Sequence, residues 1–375
     1  MKIIVAPDKF KGSLSSLQAC QSIAAGIVQF DKEATVLQYP MADGGDGFAA
    51  VLQRYLHTQS IECDAVDPMM RLIKTTYQWD AKSKLAIIEL AAASGLQHVK
   101  GNEKNPLLTS TFGTGLQIKD AIEKGAVTIM LGLGGSATND AGIGILAALG
   151  FEFLDKAGHK LSPVGESLSL IQKIEVPDRL PIIHFTIAAD VQNILFGKSG
   201  AAMVYAAQKG ADESTLKLLD KGLQHFAKIV QRYTGKEVAF IAGTGAAGGV
   251  AAGLMAYFDV ELIKGSTLVM EASIMEQQVN NADLIITGEG KLDNQSSYGK
   301  VVSEVANLGK LYKVPVIALC GMVDVNDEKL KEMGLLFANG IKDKNISTAT
   351  AIAAAAKLLT EKAALAIPQF LKLKK

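Results

Sequence analysis

Six aspartates stand in turns that directly follow predicted strands, where a carboxylate can meet a bound ligand. Oxygen ligands of this kind suit Mg²⁺ in sites that bind phosphate, and a carboxylate can also act as a general base. A single aspartate in a turn is more often a helix cap or a solvated charge, so the prediction depends on the whole group. Together they indicate Mg²⁺ coordination and one general base. The six are Asp8, Asp43, Asp46, Asp140, Asp190 and Asp293.

Four lysines lie at the same predicted strand ends. A lysine ammonium pairs with phosphate as a point charge, although most lysines of a chain are simply solvated at the surface. Beside the aspartates, these cations favour a ligand that carries phosphate. The four are Lys9, Lys11, Lys291 and Lys300.

Glycine-rich turns supply a backbone that could hold such a ligand. Glycine lets N–H groups approach an anion, and the N-terminus of a following helix favours negative charge. One such turn is weak support, because glycine also ends strands and caps helices. Five in one chain favour a bound phosphate or carboxylate. Four follow predicted strands, and a fifth, GTG at 113–115, opens a helix; the four are APDKFKGS at 6–13, GLGGSATND at 132–140, GTGAAGG at 243–249 and TGEGKLD at 287–293.

Two of these turns also match the form of the dinucleotide-binding fingerprint. They span residues 132–137 and 243–248, and each follows a predicted strand and opens a predicted helix, at 139–149 and 245–257. The first continues with polar residues where a dinucleotide helix needs apolar ones, and the second has only Glu261 as a possible acidic partner. An NAD(P)-dependent oxidoreductase acting on a small hydroxy acid therefore remains an alternative.

Other chemistries lack their signatures. The five histidines show neither HxH nor HExxH spacing, and neither a GxSxG elbow nor a Cys–His pairing is indicated. The Walker pattern fails because Gly197-Lys198-Ser199 has no glycine five positions earlier, and the protein-kinase motifs are absent. We exclude zinc hydrolysis and nucleophilic triads, and a phosphotransferase would belong to neither of the two large classes.

The elements that must position these residues alternate between strand and helix at both ends of the chain. A strand over 2–6, a helix over 15–29 and a strand over 34–39 predict a parallel sheet. Three strand-like segments with little helix between them, at 60–66, 70–79 and 84–90, favour antiparallel or mixed pairing there. The alternation returns after residue 111. The further strands are predicted at 126–131, 182–188, 238–242, 283–287, 315–319 and 335–338.

The composition limits the class of protein. The chain has 375 residues, of which 49% are hydrophobic and 20% charged, so we expect two or three domains around large cores. Lysine and arginine number 38, as do aspartate and glutamate, and a chain without net charge is a poor binder of nucleic acid.

The cysteines and the apolar segments bear on location. The three cysteines form no close pair, and the start MKIIVAPDKF lacks the apolar stretch of a signal peptide. An uncharged run at 238–258 predicts a buried strand, turn and helix rather than a membrane span, because glycines interrupt it. We expect a cytoplasmic protein whose partner is a small molecule rather than nucleic acid or a membrane, with a homo-oligomer left open.

Long motifs, in order across nearly the whole chain, resemble those of the bacterial type-1 glycerate kinases. The resemblance implies ATP-dependent phosphorylation of D-glycerate, an organic acid, with Mg²⁺, and it favours the 2-position. It places the reaction in the glucarate/galactarate and glyoxylate routes. The motifs are APDKFKGSLSS, MADGGDG, GTG, GLGGSATND, QKGA, GTGAAGG and TGEGKLDNQSSYGK.

The same resemblance implies two α/β domains. One is Rossmann-like, with a parallel sheet built from both chain ends, residues 1–60 plus 258–375, and the other, 61–257, is inserted. The family's prolines are missing from the loop 190–210, although Asp190, Asn193 and Lys209 are retained. A hydroxy-acid sensor that kept the fold and lost phosphoryl transfer is a further alternative.

For this reaction we assign the base that contacts the attacking hydroxyl to Asp190, with Asp8 as the second choice. Lys11 would neutralise the transferred phosphate oxygens, because phosphoryl transfer needs positioning and charge neutralisation more than covalent chemistry. We expect the glycerate carboxylate to bind backbone N–H groups and side chains at 134–139. The residues predicted to bind substrate are Asp43, Gly134, Gly135, Ser136, Thr138, Asn139 and Asp140.

We expect ATP in a cleft between the two domains, lined by the turn at 287–293. Its glycines permit close approach of the backbone, and its acidic side chains can hold Mg²⁺ directly or through water. The residues predicted to bind the nucleotide are Gly288, Glu289, Gly290 and Lys300, and the predicted metal ligands are Asp293 and Glu289.

Overall fold

The computed structural model describes residues 1–293, 300–343 and 346–374, and contacts within the chain divide it into two compact units. Unit 1 is formed by Met1–Asp43, Ala50–Tyr55 and Lys264–Lys375, and unit 2 by Gly44–Ala49 and Leu56–Ile263. Each unit contains a sheet with parallel strands together with helices, which confirms the predicted α/β class.

Strands and helices alternate along most of the described chain. The strands are β1 (Lys2–Pro7), β2 (Thr35–Gln38), β3 (Gln59–Val66), β4 (Leu72–Asp80), β5 (Leu85–Glu89), β6 (Thr128–Gly132), β7 (Glu152–Leu154), β8 (Lys173–Glu175), β9 (His184–Ala188), β10 (Asp259–Ile263), β11 (Leu284–Gly288), β12 (Lys291–Leu292), β13 (Val316–Cys320), β14 (Met322–Val323) and β15 (Ala338–Gly340). The helices are α1 (Ser16–Phe30), α2 (Phe48–Leu52), α3 (Leu90–Ser94), α4 (Phe112–Glu123), α5 (Ile143–Ala148), α6 (Ala201–Tyr205), α7 (Glu213–Thr234), α8 (Val250–Tyr257), α9 (Gly265–Ser273), α10 (Glu276–Val279), α11 (Val301–Tyr312), α12 (Asp327–Met333), α13 (Thr348–Ala353) and α14 (Ala355–Leu373).

The sheet of unit 1 is parallel, with strand order β15-β13-β11-β1-β2. Its inner strands β1, β11 and β13 are continuous apolar runs that are buried along their length, as expected for parallel strands covered on both faces. Helices α1 and α14 pack against each other and share one core with these strands, and α11 contacts β11 and β13. The carboxyl ends of the inner strands are thereby held in a fixed row.

The sheet of unit 2 is mixed, with strand order β10-β9-β6-β5-β4-β3. Strands β3, β4 and β5 pair antiparallel, while β5, β6, β9 and β10 pair parallel. The pairing changes from antiparallel to parallel at β5, after which helices separate the strands along the chain. The sequence predicted antiparallel or mixed pairing for the strand-rich segment 60–90. Strands β7 and β8 form a separate antiparallel pair.

The prediction of a strand at 238–242 is wrong, because this segment turns instead. Val238 and Ala239 are buried, but the carbonyl of Ala239 accepts a hydrogen bond from the N–H of Leu195 in a loop rather than from a strand. The sixth strand of the unit 2 sheet is β10. It was not predicted because Asp259 and Glu261 interrupt its apolar pattern in the sequence. As an edge strand, β10 can expose those two side chains to solvent.

Two helices begin later than predicted. Ala141 and Gly142 have positive φ angles of 52° and 74°, so α5 begins only at Ile143. Gly248 and Gly249, with φ of 73° and 98°, likewise delay α8 until Val250. Left-handed residues interrupt a right-handed helix, so both glycine-rich turns are longer than their fingerprints suggested. None of the helices in the described ranges is both long enough and apolar enough to cross a membrane.

Candidate active site

The sheet of unit 1 reverses its direction of growth between β1 and β11. The chain passes outward from β1 to β2 on one side, and from β11 through β13 to β15 on the other. The loops that follow β1 and β11 therefore diverge and leave a crevice, which is the usual ligand position in an open parallel sheet. The N–H of Asp8 donates to the carbonyl of Gly288 at 2.8 Å across this point. A Cβ at Gly288 would overlap the carbonyl oxygen of Leu319, so only glycine allows the end of β11 to lie this close to β13.

A cavity of about 420 Å³ opens at this crevice and is lined entirely by residues of unit 1. It brings together predicted residues of every class, although they are far apart in the sequence. Gly288 lies at the end of β11 behind this lining. Residues 294–299 of the motif TGEGKLDNQSSYGK lie outside the described residues. The predicted residues on the cavity wall are Asp8, Lys11, Asp43, Glu289, Gly290, Asp293 and Lys300.

The remaining lining of the cavity combines positive charge with an apolar wall. Three more lysines face it, so the cavity can neutralise several negative charges on a ligand. The apolar side chains offer a surface on which a flat or apolar part of a ligand could rest. The lysines are Lys9 and Lys291, which were also predicted from the sequence, and Lys342; the apolar residues are Phe10, Met322, Ile341, Ala351 and Ile352.

Asp8 is a carboxylate of this cavity whose ionisation is strongly affected by its surroundings. Its side chain is 8% exposed, and burial raises its pKa to about 7, with the charge of Asp43 adding to the effect. Lys9 opposes this rise through the positive charge of its ammonium and through its N–H, which donates to Asp8 Oδ1 at 2.6 Å. The same ammonium lies 3.3 Å from Asp43 Oδ1. A carboxyl group with a pKa near 7 can accept or release a proton at neutral pH.

The donors for a divalent cation are sparse in this cavity. No group of three or more His, Cys, Asp or Glu side chains within the described ranges is arranged to hold a metal ion. Mg²⁺ at nucleotide sites commonly binds one or two carboxylates and takes its other ligands from phosphates and water. Glu289 and Asp293 line the same cavity and fit that smaller donor set. Asp293 lies 3.3 Å from the Lys291 ammonium, which also contacts Asp324 at 3.1 Å.

Two of the predicted motifs and Asp190 converge within unit 2, at the carboxyl ends of β6 and β9. The N–H of Gly134 donates to the carbonyl of Gly44 at 3.3 Å, and a Cβ at Gly134 would overlap the backbone of Gly45. A Cβ at Gly44 would lie 3.2 Å from Asp190 Oδ2. The glycines of ADGGDG thus bring the turn after β6 close to the aspartate after β9. Gly134 is half-buried and Gly135 is exposed, so the tip of this turn is accessible.

Asp140 anchors the end of this turn. Its Oδ2 accepts hydrogen bonds from the N–H and the hydroxyl of Thr111, both at 2.8 Å, and its carboxylate also accepts from Gly142 and Gly144. Burial raises the pKa of Asp140 although these four hydrogen bonds oppose the rise. The side chain is fully buried and ties the turn to the first residues of α4 and α5. We infer a positioning role for Asp140 in place of the predicted contact with substrate.

Thr138 and Asn139 present a different pattern. Both side chains are fully buried, yet Thr138 Oγ1, Asn139 Oδ1 and Asn139 Nδ2 have no hydrogen-bond partner among the residues that the structure describes. A buried polar atom without a partner costs about 1–3 kcal/mol, and such atoms are rare in native proteins outside functional sites. Ser136 is also buried, and its hydroxyl accepts a hydrogen bond from the ammonium of Lys209. The turn therefore carries polar groups suited to an added ligand.

The loop after Asp190 keeps a defined shape without the prolines that the resemblance implied. Asn193 Nδ2 donates to the carbonyl of Ser199 at 2.7 Å, and Asn193 Oδ1 accepts from the hydroxyl of Tyr205 at 2.5 Å. These two bonds join the segment after β9 to α6. Asp190 itself is half-buried at the mouth of this loop.

Comparison with known proteins decides the family. The model of the glycerate kinase family matches residues 3–371. The chain belongs to the glycerate kinase family. A glycerate kinase of Halalkalibacterium halodurans is 41% identical over 89% of this chain and 88% of its own, and a glycerate 2-kinase of Escherichia coli is 37% identical over 94% and 91%. A crystal structure of a Salmonella typhimurium protein assigned as glycerate kinase 2 superposes with a TM-score of 0.85 at 33% identity, covering 100% of this chain and 99% of that one.

Membership of the glycerate kinase family makes the protein an enzyme that phosphorylates glycerate with ATP. The geometry also argues against the NAD(P) alternative. The turn at 243–249 follows no strand, and a Cβ at Gly248 would overlap the carbonyl of Thr138, so these glycines pack against protein. After the turn at 132–137, α5 begins too late to present its N-terminus to a pyrophosphate. We retain neither the oxidoreductase nor the sensor.

One residue of this glycerate kinase that was not predicted to act in a site contacts the turn at 132–140. Lys209 is 2% exposed, and its ammonium donates to Ser136 Oγ at 2.8 Å and to the carbonyl of Thr138 at 2.6 Å. Burial lowers its pKa to about 7, and the negative charge of Asp140 opposes that change. The motif QKGA contains this lysine, but an isolated Lys in a sequence is usually solvated, so no pattern marked it as buried.

Proposed function

We propose that this enzyme, of the type-1 class, transfers the γ-phosphoryl group of ATP to the 2-hydroxyl of D-glycerate and forms 2-phosphoglycerate. Similarity to the glycerate 2-kinase of Escherichia coli supports the 2-position. The route is the breakdown of glucarate, galactarate or glyoxylate, in the cytoplasm. Free, buried cysteines at positions 20, 63 and 320 support a reducing compartment.

The single observation that carries the catalytic part is the cavity at the switch point of unit 1. It combines lysines, a buried carboxyl group and an apolar wall, and these suit the phosphates, the reacting end and the base of a nucleotide respectively. Lys11 and Lys300 would neutralise phosphate oxygens, and Gly290 allows the chain to pass close to them. When bound through Glu289 and Asp293, Mg²⁺ supplies further neutralisation of the transferred charge.

Glycerate is assigned to the turn 134–139 of unit 2. Its carboxylate needs hydrogen-bond donors that are already fixed in place, and its hydroxyls need polar partners. The buried polar atoms of Thr138 and Asn139, and the accessible backbone at Gly134 and Gly135, supply such groups. Asp190 follows the adjacent strand, and we assign to it the proton of the attacking hydroxyl, with Asp8 as the alternative base.

The product distinguishes the possible reactions. The enzyme is incubated with ATP, Mg²⁺ and D-glycerate, ADP release is coupled to a chromogenic assay, and the product is examined by ³¹P NMR with proton coupling. Phosphate on carbon 2 couples to one proton and gives a doublet, whereas phosphate on carbon 3 couples to two and gives a triplet. We expect ADP release and a doublet. A triplet would overturn the 2-position, and ADP release with other hydroxy acids but not with D-glycerate would overturn the substrate.

A further inference from the structure

Lys209 contacts the turn 134–140 from a neighbouring 3₁₀ turn. It ends a 3₁₀ turn, Ala207–Lys209, that follows α6, and its N–H donates to the carbonyl of Ala206 at 3.0 Å. The next residue, Gly210, has a φ of 101° and closes the turn. From this turn the lysine side chain reaches the turn 134–140.

The two hydrogen bonds of Lys209 fix the orientation of one peptide group. The carbonyl of Thr138 and the N–H of Asn139 belong to the same planar trans peptide and point in opposite directions. A lysine that holds the carbonyl at 2.6 Å therefore aims the N–H of Asn139 away from itself. The second bond, to Ser136 Oγ, fixes the turn two residues earlier. Asp140 anchors the same turn from α4 and α5, so it is held from two sides.

We propose that Lys209 is a positioning residue for glycerate: it sets the Thr138–Asn139 peptide and the Ser136 hydroxyl in the geometry that receives the substrate carboxylate. This inference rests on the assignment of glycerate to the turn 134–139. Burying an ammonium is unfavourable, and an apolar residue of the same length would fill the same space at lower cost. The buried charge is therefore explained by what it does for the turn and for an anion that binds there.

Replacement of the lysine tests this role. Lys209→Met removes both hydrogen bonds and the charge but keeps the length of the side chain. We expect the KM for glycerate to rise about 10–100-fold, the KM for ATP to stay within about twofold and kcat to change less than the glycerate KM. Lys209→Gln keeps a hydrogen-bond donor, so its KM for glycerate should lie between those of the wild type and Lys209→Met. Lys217→Met, at an exposed ion pair with Glu213 on α7, is the matched control and should match the wild type.

A second readout separates positioning from a merely structural role. The pKa of Lys209 is about 7, and in the described part of the chain Asp140 is the charged group that acts on it. A carboxylate arriving at the turn favours the protonated amine, so glycerate binding at pH 8 should take up a proton. Isothermal titration in buffers of different ionisation enthalpy measures this uptake. Lys209→Met should abolish it, and uptake that persists in this variant would overturn the proposal.

If Lys209→Met does not fold, the proposal can still be tested with Ser136→Ala, which removes the same hydrogen bond from the side of its acceptor. We expect Ser136→Ala to raise the glycerate KM as well, and less than additively in combination with Lys209→Gln. An unchanged glycerate KM in these variants, with a raised one in Asn139→Ala, would overturn the role of Lys209 and leave the assigned substrate turn intact. An unchanged glycerate KM in Asn139→Ala as well would overturn the assignment itself.

Discussion

At the residue scale, burial decides what each carboxylate of this enzyme can do. Asp140 is fully enclosed and accepts hydrogen bonds from Thr111, Gly142 and Gly144, so it holds backbone in place. Asp8 keeps a small exposed fraction on the wall of the unit 1 cavity and has a pKa near neutrality. Two aspartates that each follow a strand thus serve different ends, one structural and one suited to proton transfer.

The base is tested by Asp190→Asn, which keeps the size and polarity of the side chain but removes its charge. If Asp190 takes the proton of the attacking hydroxyl, kcat should fall about 10²–10⁴-fold while glycerate binding changes much less. Steady-state kinetics and equilibrium binding measure the two effects. Asp178→Asn, on an exposed turn, is the control. Near-normal turnover in the Asp190 variant would move the role to Asp8 or Asp293.

The raised pKa of Asp8 predicts a dependence of stability on pH. A carboxyl group whose pKa rises from 3.8 to about 7 on folding favours the folded state only while it is protonated. Its contribution is complete below pH 4, declines as the pH rises toward 7 and is lost above. Asp8→Asn removes this loss, so it should increase the free energy of unfolding at pH 8 by on the order of 1–4 kcal/mol, with little gain at pH 4.

Urea unfolding at several pH values measures this gain, with Asp178→Asn as the control. The same Asp8→Asn variant should lose activity, since Asp8 lies in the cavity assigned to the nucleotide. A gain in stability that is equal at pH 4 and pH 8 would show that ionisation of Asp8 is not its source.

The aspartates and the glycine-rich turns were predicted from the sequence, whereas the degree to which Asp140 and Asp8 are buried was not. Position after a strand is visible in the sequence, but the exposed fraction of Asp140 or Asp8 depends on contacts with residues that are distant along the chain. Lys209 shows the same limit, because nothing in QKGA distinguishes a buried ammonium from a solvated one. Its partners, Ser136 and Thr138, come from another motif altogether.

At the scale of elements, close packing of neighbouring strand ends positions the site in unit 1. Gly288 ends β11 against the backbone of Leu319 in β13, where a Cβ would meet a carbonyl oxygen that has no room to move. Gly288→Ala should therefore lower the free energy of unfolding by about 1–3 kcal/mol and displace Glu289. Urea unfolding and the KM for ATP report these two effects.

Gly101→Ala is the matched control for that variant, because a Cβ at Gly101 meets no atom within 4 Å and the residue has an ordinary φ. It should unfold at the same urea concentration as the wild type. Equal stability of the Gly288 and Gly101 variants would mean that β11 and β13 can separate at this point at little cost.

Elements were predictable where the hydrophobic pattern had one interpretation. The runs of β1, β11 and β13 are apolar and short, and they form strands as expected. The run 238–242 is equally apolar but forms a turn, in which the carbonyl of Ala239 accepts a hydrogen bond from the N–H of Leu195 in a loop. Strand β10 was missed for the opposite reason: its charges face solvent at the edge of the sheet, which only the strand order of unit 2 reveals.

At the scale of the whole molecule, we expect the kinetic effects of substitutions to sort by unit. A Cβ at Gly290 would lie 3.2 Å from the backbone nitrogen of Lys11, so Gly290→Val should obstruct the nucleotide and raise the KM for ATP. Asp293→Ala should raise the Mg²⁺ concentration needed for half-maximal activity and lower kcat. Glycerate affinity, assigned to unit 2, should change less than about twofold in both variants.

Asp324→Ala is the matched control for Asp293→Ala, because both carboxylates contact the Lys291 ammonium but Asp324 lies outside the cavity lining. It should leave the Mg²⁺ requirement unchanged. Weaker glycerate binding in the Gly290 or Asp293 variants, with an unaltered dependence on ATP and Mg²⁺, would mean that the two halves of the site have been assigned in reverse.

The discontinuity of unit 1 has a consequence for how the protein is made. Strand β1 is synthesised well before β11, its central neighbour, because Lys2–Pro7 and Leu284–Gly288 lie far apart along the chain. At about 5–20 residues per second, roughly half a minute separates the two. During that interval unit 2 is completed at Ile263, while the nascent β1 and α1 have only the edge strand β2 beside them and lack β11 and the covering helix α14. An apolar strand with one open edge is prone to aggregate, so this segment is where a chaperone would act on the growing chain.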